Sequence, residues 1–340
     1  MELIVSFPDR PTLKDSLVIS KKIGTGKFCV YEAQSPTRRE KYALKVFPKN
    51  TSGLTQYEKE KLMFDLSHPN VIQSIPIKCQ RKDFVALLTE YAPHGDFFEL
   101  VTSGGLVNEV IVRSYFHQLV EGLEYIHSKG VAHLDLKLEN IMLGADYMLK
   151  IIDFDQAQKT TDELITSGGS QGYRAPEVQI GICKDLEAAD IFSAGVILYA
   201  FQAREFPFLE VEDPTFEDVR CYSTFVKNNQ KFWQKKSEAK KDRNIFSADF
   251  RELVNGMLEC DPTNRYTIEE IKKSEWYKGP VLDSASLKAE VKQAIQAITR
   301  RKQRASLQQS MPIIGKSKSP EKKPTKHWFW WEKLSYLIAQ

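Results

Sequence analysis

His133-Leu134-Asp135-Leu136-Lys137-Leu138-Glu139-Asn140 is followed, after Leu149-Lys150-Ile151-Ile152, by Asp153-Phe154-Asp155. The two runs set acids, an amine and an amide among apolar residues. Phosphoryl transfer asks little covalent chemistry of a protein; it asks for charge neutralisation and in-line positioning. One acid must orient an attacking hydroxyl while others hold metal on phosphates, and these runs contain side chains for both tasks.

Upstream stands Ile23-Gly24-Thr25-Gly26-Lys27-Phe28-Cys29-Val30, a glycine-rich turn between strand-like segments. Missing side chains there let backbone N–H groups approach phosphate oxygens, although two glycines in a hairpin are usually only a turn. Tyr42-Ala43-Leu44-Lys45 then puts a lysine in the next strand. Downstream come Gly172-Tyr173-Arg174-Ala175-Pro176-Glu177, Asp190-Ile191-Phe192-Ser193-Ala194-Gly195-Val196 and Asp261-Pro262-Thr263-Asn264-Arg265. Alternation over Ser16 to Pro48 predicts three antiparallel strands, and Val71 to Tyr91 returns to strand character. Helical periodicity covers 54–66, with Leu62, Met63 and Leu66 on one stripe, and then 107–128, 188–202, 247–259 and 268–276.

This ordered set strongly resembles the protein kinase family, over about Ser16 to Gly279. The resemblance implies an α+β, bilobal kinase fold: a small antiparallel β-rich N-lobe with one main helix (16–91) and a larger, mainly helical C-lobe (92–280). An N-terminal extension (1–15) would precede it, and a basic, partly disordered tail (281–340) would follow. It also implies transfer of the γ-phosphate of ATP, with Mg²⁺, to Ser or Thr hydroxyls of proteins. Asp135 is then the catalytic base, Lys137 steadies the γ-phosphate, and Asn140 and Asp153 hold Mg²⁺. Lys45 contacts the α/β-phosphates. Ile23, Gly24, Gly26 and Val30 cover the nucleotide, Ala43 and Met142 sandwich the adenine, and Ile152 also contacts it. Glu90 to Ala92 form the hinge, and Thr89 stands at the gatekeeper position, where a small side chain leaves a back pocket open. Glu177 pairs with Arg265. Asp-x-Lys-x-x-Asn and Ser170 mark the serine/threonine type. The segment 249–258 with Trp276-Tyr277-Lys278-Gly279 looks most like the calmodulin-dependent and AMP-activated group. Asp96 and Glu139 match acidic positions that bind basic residues upstream of a phosphoacceptor; a solvated acidic rim is the equally good alternative.

Four departures stand out. Family spacing from the apolar stripe places Lys59 where a glutamate should pair with Lys45; Glu58 and Glu60 flank it, and Glu60 is the choice, by a shifted helix or a bulge. Leu134 replaces the arginine that receives the phosphate of a phosphorylated activation loop, so a phosphate on Thr160, Thr161, Thr166 or Ser167 lacks its usual receptor. Asp155 replaces a glycine, and Cys29 replaces the third glycine of the loop. These losses motivate an alternative, a nucleotide-binding pseudokinase acting as a scaffold. Against it, Lys45, Asp135, Lys137, Asn140 and Asp153 are all present. A small-molecule kinase has little reason to keep the segment 170–177.

The composition bounds the rest. The chain has 340 residues, 42% hydrophobic and 27% charged, enough for a large core. Its longest apolar run, Ile191 to Phe201, is interrupted and falls short of the roughly 20 residues that cross a bilayer. The start MELIVSFPDRP lacks the pattern of a secretory signal. Five scattered cysteines without a Cys-x-x-Cys pair argue against zinc and disulfides. The expected location is the cytoplasm, the nucleus not being excluded. Residues 284–340 carry twelve Lys/Arg against three Asp/Glu, an excess of +9 that leaves the rest at −6. These charges lie in a Ser/Pro/Lys-rich tail, so no nucleic acid is expected. Residues 281–304 are expected to form a basic helix and 305–326 to be disordered. Trp330, Leu334, Leu337 and Ile338 share a helical stripe, which suits docking back on the chain, a regulatory partner's groove or an anionic membrane. Arg301-Lys302-Gln303-Arg304-Ala305-Ser306 resembles a basophilic phosphorylation site, with Ser306 as acceptor.

Overall fold

The computed structural model describes residues 2–7, 10–24, 26–79, 81–103, 108–162, 168–208, 222–240, 242 and 244–309. The first lobe holds β1 (Glu2–Phe7), β2 (Arg10–Gly24), β3 (Cys29–Ser35), β4 (Glu40–Pro48), helix α1 (Thr51–Glu60), β5 (Ser74–Ile75), β6 (Lys78–Cys79) and β7 (Phe84–Glu90). Among the described residues these strands form one sheet in the order β5-β7-β4-β3-β2-β1-β6. β5 and β6 are close in the chain yet stand at opposite ends of that order, so the sheet curls almost shut.

Strand alternation then divides the side chains. Tyr42, Leu44 and Val46 of β4 point into the curl, with Leu3, Val5, Phe7, Leu17, Ala33, Phe84, Ala86 and Leu88. Ala43, Lys45 and Phe47 take the other face, where Phe47 meets Tyr57 of α1 at 5.6 Å between ring centroids. The first fifteen residues, which the sequence suggests are an extension, thus carry β1 and the start of β2. β1 pairs antiparallel with β2 and also with β6. Leu3, Val5 and Phe7 fill the curl between polar or exposed neighbours, a short alternation easily overlooked ahead of Pro8.

The stretch 54–66 is one helix by periodicity but two in the structure. α1 opens on Asn50, whose side chain caps Gly53 N–H. Gly53 lies so close to β4 that an added Cβ would come within 2.1 Å of the Pro48 carbonyl oxygen. After Glu60 the chain tightens into a 3₁₀ helix, Lys61–Asp65.

The second lobe is mainly helical: α2 (Phe97–Thr102), α3 (Glu109–Ser128), short strands β8 (Val131–Ala132), β9 (Ile141–Leu143), β10 (Leu149–Ile151) and β11 (Gln158–Lys159), then α4 (Pro176–Gln179), α5 (Leu186–Ala203), α6 (Tyr222–Lys227), α7 (Asn229–Glu238), α8 (Ala248–Met257), α9 (Ile268–Lys273) and α10 (Ser284–Gln309). Asn108, Asp185, Ser247 and Thr267 cap α3, α5, α8 and α9 with their side chains. α5 is long and apolar enough to cross a membrane, but 94% of it is buried inside the lobe.

Residues 281–298 pack as part of the same compact unit, which runs from the N-terminus to Ile298. Leu282 N–H donates to Ser114 Oγ, and Leu287, Val291 and Ile298 are buried. The unit therefore runs past 280, where the sequence suggests that it stops. α10 continues to Gln309, so 305–309, expected to be disordered, is helical. The aromatic segment 327–338 lies outside the described residues.

Candidate active site

The register of the first lobe assembles one side of a cleft. Val30 pairs with Lys45, and Ala43 pairs with Thr89, so these four side chains share the face of the sheet opposite the curled core. Each is half-buried. Ile23 is exposed at the mouth, and Gly24 and Gly26 follow it. An added Cβ on Gly26 would meet nothing within 4 Å. Among the described residues no atom thus demands a glycine there, which fits a backbone kept bare for a ligand. Phe28 folds under the turn onto Phe47, 5.0 Å between centroids. Behind the strands, Glu90 Oε1 is held by Lys150 Nζ at 2.8 Å and by Gln73 N–H at 2.9 Å, which fixes the crossing between lobes. Ala92 is buried at that crossing, and Met142 and Ile152 are half-buried in the second lobe.

Lys45 Nζ lies 2.7 Å from Glu60 Oε1 and 2.6 Å from Asp153 Oδ1. A change of helical pitch explains why Glu60, and not Lys59, arrives there. A 3₁₀ residue turns the chain by about 120° where an α residue turns it by about 100°. The five residues Lys61–Asp65 therefore add about 100°, one α-helical position, between the apolar stripe and α1. Burial disfavours the Lys45 ammonium, yet Asp153 and Glu60 outweigh it and hold its pKa above the ordinary lysine value. Burial pushes Glu60 up to about 7, against the attraction of Lys45 and with the repulsion of Asp153.

In the second lobe Asp190, at the buried start of α5, organises the run 133–140. Its carboxylate accepts from His133 N–H and Leu134 N–H, each at 2.7 Å, and contacts His127 Nε2 at 3.0 Å. Leu134 is held at φ 61° and Asp153 at φ 62°, left-handed conformations uncommon for side-chain-bearing residues. Ile152 joins them: its N–H donates to the Asn140 carbonyl and its own carbonyl meets His133 Nε2, both at 2.9 Å.

Asp135 is 7% exposed, and its two oxygens differ. Oδ2 accepts from Lys137 Nζ at 2.7 Å and from Asn140 Nδ2 at 3.0 Å. Oδ1 is buried with no hydrogen-bond partner among the described residues. Beside it an open cavity of about 320 Å³ is lined by Asp135, Gln156, Gly168, Gly169 and Ser170. Lys137 Nζ also donates to Ser170 Oγ at 2.7 Å, tying the run 133–140 to the segment ahead of α4.

Asn140 spends its Nδ2 on Asp135, which leaves the amide oxygen for a cation, and Ile152 links Asn140 directly to Asp153. Asp155, where the family has glycine, has a buried Oδ1 without a hydrogen-bond partner among the described residues, and burial followed by the repulsion of Asp153 raises its pKa. Hard oxygen donors of this kind, with phosphates completing the shell, fit Mg²⁺. Asp155 is the site feature that the sequence marked only as a replacement for glycine. A carboxylate two residues after Asp153 was the available signal.

A curled β-lobe beside a helical lobe, with a lysine, two aspartates and an asparagine converging at the cleft, defines a domain of the protein kinase type. The protein kinase domain model matches residues 17–277, and the chain belongs to that family. It is 33% identical over 283 residues to CBL-interacting protein kinase 11 of Oryza sativa subsp. japonica, covering 80% of this chain and 53% of that protein. It is 34% identical over 268 residues to CBL-interacting serine/threonine-protein kinase 8 of Arabidopsis thaliana, covering 76% and 57%. The chain thus spans about half the length of the curated relatives it matches.

Proposed function

We propose that this chain is an active serine/threonine protein kinase that transfers the γ-phosphate of ATP to protein hydroxyls. The observation that carries the reading is the asymmetry of Asp135. With Oδ2 occupied by Lys137 and Asn140, Oδ1 alone faces a substrate hydroxyl and accepts its proton. Lys137 bridges Asp135 and Ser170 and so stands where it steadies the transferring group. Lys45, fixed by Glu60, grips the α/β-phosphates. Mg²⁺, held by Asp153 and Asn140, would neutralise charge on the phosphates. The serine/threonine character is supported by Ser170 and by the names of the relatives.

Substrates with a basic residue before the acceptor fit best. Burial, reinforced by Asp96, raises the Glu139 pKa, and an arginine placed there would relieve both costs. The relatives' names record protein partners for those proteins, and a regulatory partner, bound through 327–338, belongs to the same reading. Free thiols at Cys29, Cys79, Cys183 and Cys260 support an intracellular site of action.

The deciding experiment compares wild type with Asp135→Asn in Mg²⁺-dependent transfer from ATP to a basic peptide. Loss of turnover by about 10²–10⁴ with nucleotide affinity retained is expected. Nucleotide binding without transfer by the wild type, across several peptide classes, would instead point to the pseudokinase scaffold.

A further inference from the structure

Gln56 and Glu60 stand four residues apart on α1 and share one face of the helix. Both are buried, at 5% and 2% exposure. Glu60 reaches Lys45. Gln56 reaches the other lobe's segment: its Nε2 donates to the backbone carbonyl of Asp155 at 2.7 Å.

We propose that Gln56 is a positioning residue, a phosphate-free latch that joins α1 to the backbone carrying Asp153 and thereby sets Glu60 on Lys45 and Asp153 beside Asn140. The inference rests on the kinase reading above. Asp153 sits in the left-handed region at φ 62°, and a backbone held there needs its surroundings to fix it. It is fixed on both sides. Ile152, just before it, is bonded through its carbonyl to His133 and through its N–H to Asn140, both in the second lobe. Asp155, just after it, is bonded through its carbonyl to Gln56, in the first lobe. Asp153 is therefore the link between two anchors in different lobes, and the Gln56 bond is the anchor that requires α1 to be packed inward.

The residue type suits the task. The carbonyl needs one N–H, and the neighbouring groups Lys45, Glu60, Asp153 and Asp155 already form a charged cluster. A lysine or arginine at position 56 would compete with Lys45 for those carboxylates, whereas a neutral amide donates to the backbone and leaves the ion pairs unchanged. Leu134, 8% exposed, offers no cation to a phosphate on the activation segment. A lobe-to-lobe bond that needs no phosphate supplies an anchor in its place.

The test uses the full chain with Gln56→Met, which keeps the length but not the N–H, and Gln56→His, whose ring nitrogen reaches about as far and still donates. Amide exchange over residues 153–157 reads the latch without turnover, and peptide phosphorylation reads its consequence. In Gln56→Met we expect exchange in that segment about tenfold faster and kcat about tenfold lower, with KM for ATP and Tm nearly unchanged, because the lost alignment acts in the transition state. Gln56→His should recover most of both. Gln56→Met matching wild type in exchange and kcat would overturn the proposal. So would equal losses in the two variants accompanied by a fall in Tm, which would mark Gln56 as a core residue only. A wild type without transfer but with the expected exchange change would sink the kinase reading and leave the latch standing.

Discussion

Lys45 and Glu60 meet at 2.7 Å between Nζ and Oε1 while Glu60 itself is only 2% exposed. The pair is thus a charge contact made inside the protein, where the carboxylate is hard to ionise. Burial pushes Glu60 up to about 7, so its charge, and with it the grip on Lys45, changes near neutral pH.

This predicts a pH dependence. The folded-state pKa is raised, so the stability that Glu60 contributes is fully present below its ordinary value and is lost as pH rises through about 7. Activity runs the opposite way, because only the ionised form holds Lys45. kcat/KM for ATP should fall by one proton's slope below about pH 7, and Glu60→Gln should remove that limb and lower the plateau about 10- to 100-fold. An unchanged acid limb in Glu60→Gln would assign the titration to another group.

The convergence of Lys137, Asn140 and Asp135 and of Lys45 and Asp153 was legible because most of these residues lie in two short runs, 133–140 and 153–155, whose order is fixed by the chain. The identity of the Lys45 partner was only half legible. A helical period locates the face correctly as long as the pitch holds, and Lys61–Asp65 changes it. β1 escaped because a six-residue strand with three inward residues is stabilised by pairing with β2 and β6, contacts that local sequence does not display. Gln56 escaped for a related reason: its partner is a backbone carbonyl 99 residues away, and a carbonyl leaves no mark on the sequence.

Treatment with phosphatase should leave peptide phosphorylation within about twofold. Leu134 is apolar and buried where a phosphate-binding cation would stand, and the segment before α4 has internal anchors. Ser170 Oγ is bonded to Lys137 at 2.7 Å, and Arg174 Nε donates to the Gly169 carbonyl at 2.7 Å. A positioned segment of this kind gains little from an added phosphate. Activity that vanishes with dephosphorylation, and returns on rephosphorylation, would overturn the prediction.

The N-terminal strand should be needed for stability. Leu3 and Val5 are each 1% exposed within the curled sheet, so Leu3→Ala should cost about 2–5 kcal/mol. Removing residues 1–7 should cost more, because it also bares the edge of β2, the strand that leads into the glycine turn. Thermal unfolding with and without nucleotide measures both effects. A truncated chain with the wild-type Tm would show that β1 merely lies on the sheet.

Glu177 and Arg265 form a buried ion pair in the second lobe, with Nη1–Oε1 at 2.6 Å and Nη2–Oε2 at 3.0 Å. Arg265 also donates to the carbonyls of Ala188 at 2.8 Å and Glu259 at 3.0 Å. Such a pair adds little over apolar packing, but breaking it from one side strands a buried charge. Arg265→Met should therefore destabilise by about 3–5 kcal/mol, and Glu177→Met combined with Arg265→Met should recover part of that loss. The recovery will be incomplete, because the two carbonyls lose their donor in either variant. Denaturant unfolding of the two single variants and the double variant separates the contributions. If the double variant is no more stable than Arg265→Met, the carbonyls rather than the Glu177 charge dominate, and the arginine serves chiefly as a clamp on the ends of α5 and α8.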